Sequence, residues 1–490
     1  MQIKRIFDLK GPAGFVPNGW NYKYTDDLWN NNFIVTHDFI EKFNKKYIQV
    51  PVYDCNLNLP QDVIKDICIS DISFNPNEKI VNYQNDDEQS QLFFYTIHPF
   101  GSVDTCIGDN LNYHEKTHCF DFISKKSIYY LQNANNYFLI FDYSSEGDIK
   151  KSLFDNLHKK CKELEIPPHK VIVITSAMNT RSIYEEHLLD VPEINNFYTG
   201  YYCWSLIAKK KETTHLLFEN NIFEFNGNRN QNSLMNRNDF ISTTNRPKKC
   251  LILNRRVAPH RVILLSLLQS ENLLKDIDYS IDLSLWTHGD LSLDLANGTD
   301  YDDNFYITNK ELKSKMLHGF FKLKKIGKNT VDYDDINGVW GFGFESKTNY
   351  LNSYFSVITE TIFYEHGHYI SEKTFKGIEH LHPFVIVGKP GILKYLRLKG
   401  FKTFSEFWDE SYDNEPNNSE RIIKIFNLVK SLIQKTNEEW DELNKKLLPI
   451  LEYNREHLLS FTEEKVGNTY VENLNKLLQY EPNKENYFLF

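Results

Sequence analysis

The stretch that most constrains the fold is residues 354–388, where two apolar runs flank one capped helix. Tyr354 to Thr359 reads as a buried strand, and a short loop leads from it to Ser371. A serine there is a good N-cap, because its hydroxyl accepts from the otherwise unpaired amides of a helix opening at Glu372 and Lys373. Phe375 and Ile378 fall on one face of that helix, and Gly377 permits close approach of a neighbouring element. Pro383 stops it, since a proline pushes the residue before it out of helical geometry. Phe384 to Val387 is then a second buried strand, closed by the Gly-Lys-Pro-Gly turn at 388–391. Strand, loop, helix, strand is one crossover of a parallel sheet, and such sheets take ligands at the carboxyl ends of their strands.

Charge is uneven here. Residues 371–402 carry seven lysines and arginines against only Glu372 and Glu379, in a chain of formal net charge −10. A basic excess at a helix N-terminus suits an anion such as a phosphate or diphosphate. A solvated helix face is the competing reading.

At these residues the sequence resembles the donor-binding motif of the α1,3-fucosyltransferases and of viral and bacterial fucosyltransferase-like proteins. Their pattern is an apolar strand ending in Glu-Asn, a loop, Tyr-x-Thr-Glu-Lys, a helix, and an apolar strand ending in Gly. Glu360-Thr361, Tyr369-Ile-Ser371-Glu372-Lys373 and Phe384 to Gly388 stand in those places, with Thr361 for the Asn and Ser371 for the Thr. The likeness covers about a third of the chain, roughly residues 250 to 413. It implies an α/β fold of the GT-B kind: two facing Rossmann-like domains, with C-terminal helices crossing back. It also implies a guanosine diphosphate sugar as donor and inversion at the anomeric carbon. Glu372 would then meet ribose hydroxyls, and Glu360 or Thr361 the sugar.

A length of 490 residues is too great for one ordinary core. The division we expect is an N-terminal acceptor-side domain over 1–230, a polar linker over 231–249, a nucleotide-sugar domain over 250–415 and a helical extension over 416–490. The seven cysteines, spread from Cys55 to Cys250 without a Cys-x-x-Cys, suit a reducing compartment. Met1-Gln-Ile-Lys-Arg has no apolar segment behind it, and no run is long enough to span a membrane. A cytoplasmic protein is expected, in the host cytoplasm if viral.

The N-terminal half is harder to read. Tyr47 to Tyr53 and Ile67 to Ser70 suggest strands. The pattern sharpens at Tyr137 to Asp142, a buried strand, then a helix from about Ile149 to Leu164, a strand over Val171 to Thr175 and a helix over Arg181 to Leu189. This alternation indicates another parallel sheet. Glu146, in the loop after the strand ending at Asp142, is the candidate general base; otherwise it is a first-turn acid complementing the helix dipole. His114-Glu-Lys-Thr-His118 matches the zinc-peptidase H-E-x-x-H, but no amphipathic helix surrounds it.

In the C-terminal half, Cys250 to Leu253 is a strand, followed by an apolar helix through Val262 to Leu268. From 246 to 261 the charged residues are Arg246, Lys248, Lys249, Arg255, Arg256 and Arg261, with no acid. Arginine's planar fork suits bidentate phosphate contacts. By the family resemblance Arg261 is the diphosphate ligand, with Arg255 a second. Asp300 to Asp303 and Asp332 to Asp335 each offer Asp-x-Asp, but neither follows an apolar strand, so both read as solvated loops rather than metal sites. After Gly391 a helix runs to Lys399, capped by Gly400, and Phe401 to Phe404 reads as a further strand. Phe407 to Asp413 resembles a segment of the same fucosyltransferase-like proteins. From Ser419 onward a stripe of Ile422, Ile425, Phe426, Val429, Leu432 and Ile433 marks a helix, with further helices to about Tyr480.

These features converge on a metal-independent glycosyltransferase using a nucleotide diphosphate sugar as substrate, with no cofactor, and a glycan or small-molecule hydroxyl as acceptor. Candidate donor-binding residues are Arg255, Arg261, Glu360, Thr361, Tyr369, Ser371, Glu372 and Lys373. Three alternatives stay open: a viral glycosyltransferase acting on modified DNA bases, a zinc hydrolase at His114 and His118, and an inactive nucleotide-sugar-binding protein.

Overall fold

A computed structural model describes residues 3–8, 48–52, 92–97, 120, 125–133, 137–143, 149–190, 198–201, 234–254, 257–286, 290–297, 307–331, 347–363 and 367–460. The chain divides into two compact units, Met1–Trp204 with Thr462–Phe490, and Ser205–Phe461. Both are α/β units built on largely parallel sheets, as expected.

The first unit holds β1 (Ile3–Asp8), β2 (Ile48–Val52), β3 (Leu92–Ile97), α1 (Lys125–Asn133), β4 (Tyr137–Tyr143), α2 (Lys151–Glu163), β5 (Val171–Thr175), α3 (Thr180–Asp190) and β6 (Tyr198–Tyr201). Its six strands run in the order β2-β1-β3-β4-β5-β6, every pairing parallel. The elements expected from Tyr137 to Leu189 all form, because Leu139, Phe141, Leu153, Phe154, Leu157, Ile172, Val173 and Tyr184 recur at the spacings that bury them. The strand expected at Ile67 to Ser70 lies outside the described residues.

The second unit runs α4 (Arg237–Ser242), β7 (Lys248–Leu253), α5 (Pro259–Ser270), β8 (Ile277–Asp282), α6 (Leu291–Asn297), α7 (Lys310–Ile326), β9 (Lys328–Asn329), α8 (Lys347–Asn352), β10 (Ser353–Thr359), α9 (Glu372–Glu379), β11 (Phe384–Val387), α10 (Ile392–Leu398), α11 (Asn418–Ile433) and α12 (Asn437–Ser460). Its sheet has the order β11-β10-β7-β8-β9, parallel except for β9. Every residue of β10 and β11 is buried; β11 is wholly apolar, and the hydroxyls of Ser353, Ser356 and Thr359 in β10 are each hydrogen-bonded. Helix α5 is buried along most of its length. Gly319 of α7 lets the two helices touch, since a Cβ there would lie 1.8 Å from the Ser266 carbonyl oxygen.

Three expectations need correction. The linker span carries ordered structure: α4 opens on a capping box between Asn236 and Asp239, and β7 begins at Lys248. Residues 401–404 are not a strand. Their backbone is taken up elsewhere, the Lys402 amide by the Asn454 side chain and the Phe404 amide by the Glu410 carboxylate. Residues 416–460 form part of the second unit's core rather than an extension. The expected stripe on α11 is buried, and Trp440 of α12 stacks on Tyr354 and Phe355 of β10 at 5.5 and 5.1 Å.

Candidate functional site at the carboxyl edge of the second sheet

The chain enters this sheet at β7, builds outward to β8, then returns on the other side with β10 and β11. Where the strand order reverses, between β7 and β10, the crossovers leave in opposite directions and open a crevice beyond the carboxyl ends. Asn254 follows β7 there and Thr359 ends β10; the Thr359 hydroxyl donates to the Asn254 side-chain oxygen.

The motif residues gather beside this pair. Ser371 caps α9 as anticipated, its Oγ accepting from the Lys373 amide at 3.3 Å. The Lys373 ammonium donates to Glu372 Oε1 at 3.0 Å, Thr361 Oγ1 at 3.3 Å and Ser371 Oγ at 3.4 Å. Three candidate residues thus converge on a fourth, the partly exposed Lys373 ammonium. Burial pushes the Glu372 carboxyl up, but the charges of Lys373 and Lys376 and the Lys373 hydrogen bond outweigh it, bringing it down to about 2. The Glu372 carboxyl is therefore ionised at neutral pH.

Glu360 behaves differently from the sugar contact expected of it. It is wholly buried, and its carboxylate accepts from the Ser371 amide at 3.1 and 3.2 Å and the Thr374 hydroxyl at 2.6 Å. A carboxylate at a helix N-terminus is favoured by the dipole, so Glu360 fastens α9 to the end of β10. The Ser371 and Lys373 amides are thereby engaged within the protein. Tyr369 is also buried.

Arg261, on the first turn of α5, is 5% exposed and donates through Nη2 to the Thr359 and Glu360 carbonyls, both at 3.3 Å. His260 pairs with the same Glu360 carbonyl through Nε2 at 3.1 Å and stacks on Phe363. Burial, with Arg261 beside it, holds its imidazole well below the usual histidine range, so the neutral ring donates. Arg421 closes the far side. Its guanidinium donates to the Gly388 carbonyl at 3.1 Å and the Phe363 carbonyl at 2.7 Å, tying the carboxyl end of β11 to the loop after β10.

The basic runs disperse on folding. Arg246 bonds the Ser353 carbonyl at 2.6 Å, and Lys248 the Lys275 carbonyl at 2.8 Å, both at the amino end of the sheet. The strand between puts them roughly 20 Å from Asn254 at about 3.3 Å per residue. Arg397 pairs with Glu410 at 3.2 Å. Among the described residues the edge brings Lys373, Arg261 and Arg421 together with Glu360 and Glu372, so acids are interleaved with the basic groups that the sequence offers there.

The segment 407–413 now has a structural account. Tyr412 Oη accepts from the Ile386 amide at 3.3 Å, covering the outer edge of β11, and Asp413 accepts from the Leu393 and Lys394 amides at the start of α10. Sequence reasoning missed Asn254, His260, Thr374 and Arg421 as site-building residues. Two signals were present: Asn254 is the first polar residue after an apolar strand, and Arg421 interrupts the start of an apolar stripe.

Glu146, Arg255, His114, His118 and the clusters at Asp300 to Asp303 and Asp332 to Asp335 lie outside the described residues. Among the described residues no three His, Cys, Asp or Glu side chains gather as a metal site. No helix among them is long and apolar enough to cross a membrane.

No known family pattern matches the chain, and no curated protein matches it. Solved structures do align over nearly its whole length. One, from E. coli and bound with UDP-2-fluoro glucose, is described as trehalose-6-phosphate; it covers 98% of this chain and 100% of its own at 8% identity and a TM-score of 0.39. A trehalose-6-phosphate synthase, OtsA, gives the same coverage, identity and TM-score. An α,α-trehalose 6-phosphate synthase from Burkholderia multivorans covers 97% of this chain and 98% of its own at 8% identity and a TM-score of 0.35. An overlap this loose does not carry a function, and the reading below stands on the residues.

Proposed function

We propose that the chain is a GT-B glycosyltransferase that moves a sugar from a nucleotide diphosphate sugar to a hydroxyl of a glycan or small molecule. The observation that carries this reading is the meeting of Lys373 with Thr361, Ser371 and Glu372. It lies beside the point where the strand order reverses, and its residues resemble a nucleotide-sugar motif. The chemistry follows from charge. Departure of the nucleoside diphosphate builds negative charge on its oxygens, and the sugar acquires oxocarbenium character. A fixed ammonium at the edge stabilises the first of these. In this reading Lys373 meets the diphosphate, Glu372 the ribose hydroxyls and Thr361 the sugar. Glu360 positions α9 from beneath, and Arg261 stiffens the end of β10, with Arg255 a further phosphate ligand. A carboxylate of the first unit, Glu146, takes the acceptor proton. The resemblance favours a guanosine diphosphate sugar and inversion, and no metal is required.

The test is ligand stabilisation. A ligand that binds only the folded state, at a hundred times its Kd, stabilises it by about 2.7 kcal/mol. Thermal unfolding with GDP, UDP, ADP and CDP should show one diphosphate raising Tm well above the rest, without added metal and with chelator present. No response to any nucleoside diphosphate would remove the donor site. A response lost in chelator would return metal to the mechanism.

A further inference from the structure

Asn254 is 1% exposed, and its side-chain nitrogen has no hydrogen-bond partner among the described residues. Its oxygen is engaged, because the Thr359 hydroxyl donates to it. Thr359 is itself held, its carbonyl accepting from Arg261 Nη2 at 3.3 Å. The amide is thus oriented by a buried hydroxyl whose backbone is fixed at the end of β10, with its donor end unused. A buried N–H without an acceptor is costly, and such groups rarely persist without a role. This one lies where β7 and β10 part, which is where a ligand approaches a doubly wound sheet.

We propose that Asn254 is a further ligand-positioning residue, its amide N–H reserved for a phosphate oxygen of a nucleoside diphosphate seated over the carboxyl ends of β7 and β10. The inference rests on the donor-site reading above. A phosphate oxygen fits because the partly exposed cation of the same edge, Lys373, calls for an anion, and a neutral donor completes its coordination without adding charge.

The experiment is calorimetric titration of GDP and UDP, and of guanosine and uridine, into the full chain and into Asn254→Ala and Asn254→Asp. Thermal unfolding of each free protein accompanies it. Asp keeps an oxygen for the Thr359 hydroxyl but replaces the N–H with a negative oxygen. The expected result is diphosphate binding weakened on the order of tenfold in Asn254→Ala, and more in Asn254→Asp, with nucleoside binding unchanged and the Tm of free Asn254→Ala close to wild type. If both variants bind diphosphate as wild type does, or if Asn254→Asp alone restores wild-type binding, Asn254 serves only to hold Thr359 and the inference fails while the donor site stands. An equal loss with nucleosides overturns the phosphate contact. If wild type binds no nucleoside diphosphate, the donor-site reading falls and takes this one with it. Should Asn254→Asp not fold, the Asn254→Ala comparison decides alone.

Discussion

The two sheets share a winding rule but carry their candidate chemistry in different places relative to it. In the second unit the order β11-β10-β7-β8-β9 reverses between β7 and β10, and Asn254, Thr359, Thr361 and Lys373 all cluster by that point. In the first unit the order β2-β1-β3-β4-β5-β6 reverses between β1 and β3. Glu146 follows β4, one strand away. A loop at the end of a strand therefore looks the same in sequence whether or not its strand borders the crevice. The order of strands decides, and that order is set by long-range pairing.

The largest expected effect tests this contrast directly. If Glu146 is the general base, Glu146→Gln lowers the transfer rate by about 10²–10⁴-fold, the usual contribution of such a group, while nucleoside diphosphate affinity stays at wild type. A mild effect on rate would send the search to the residues that end β1 and follow β3, where the sequence places Asp8 and His98.

Lys373→Ala probes the other sheet. Loss of one stabiliser of leaving-group charge costs about 2–4 kcal/mol in the barrier, read as kcat/KM, and binding of the free diphosphate falls with it. A near-normal rate would take Lys373 out of the donor site. Comparing the two variants sharpens the difference between the units: one should lose rate alone, the other both rate and affinity.

Much of the second unit was legible because its signals are local. Ser371 capping α9, Pro383 ahead of β11 and the α11 stripe each depend on residues within one or two turns. Gly377 behaves as expected too, a Cβ there meeting Ile358 Cδ1 at 3.1 Å. What escaped depends on distant partners. Glu360 has the composition of a ligand contact, yet its nearest donors are Ser371 and Thr374 across a loop, and they draw it inward. Arg246 sits in the same basic run as Arg261, but a strand separates them to opposite ends of the sheet. The span 401–404 is short and bounded by two phenylalanines, but side chains of α12 and of the segment after it satisfy its amides first.

Packing gives a smaller expected effect, confined to the second unit. Gly319→Ala drives a methyl group into the Ser266 carbonyl of α5, and backbone there must shift. Overpacking of this kind costs about 1–3 kcal/mol. Denaturant unfolding should register that loss, with α5 displaced along its second half, around Ser266 and Ser270. Unchanged stability would mean that α7 can slide on α5 freely, and that this contact does not fix the two helices.

The smallest effect is electrostatic and concerns Glu372. Glu372 ionises in the folded protein near 2 against an ordinary value of 4.5, because the charges of Lys373 and Lys376 outweigh its burial. The folded state therefore favours the ionised form. Its contribution to stability is fully present above about 4.5 and is lost as pH falls from there to about 2, where the folded protein is protonated as well. Unfolding free energy followed through that window should decline less steeply in Glu372→Gln, by the share of one proton. In Lys373→Ala the decline should also flatten, because the group that depresses the carboxyl has gone. If Glu372→Gln tracks wild type throughout the window, the Lys373 ammonium is not held against Glu372 in solution, and the arrangement read here as a donor site loses its central contact.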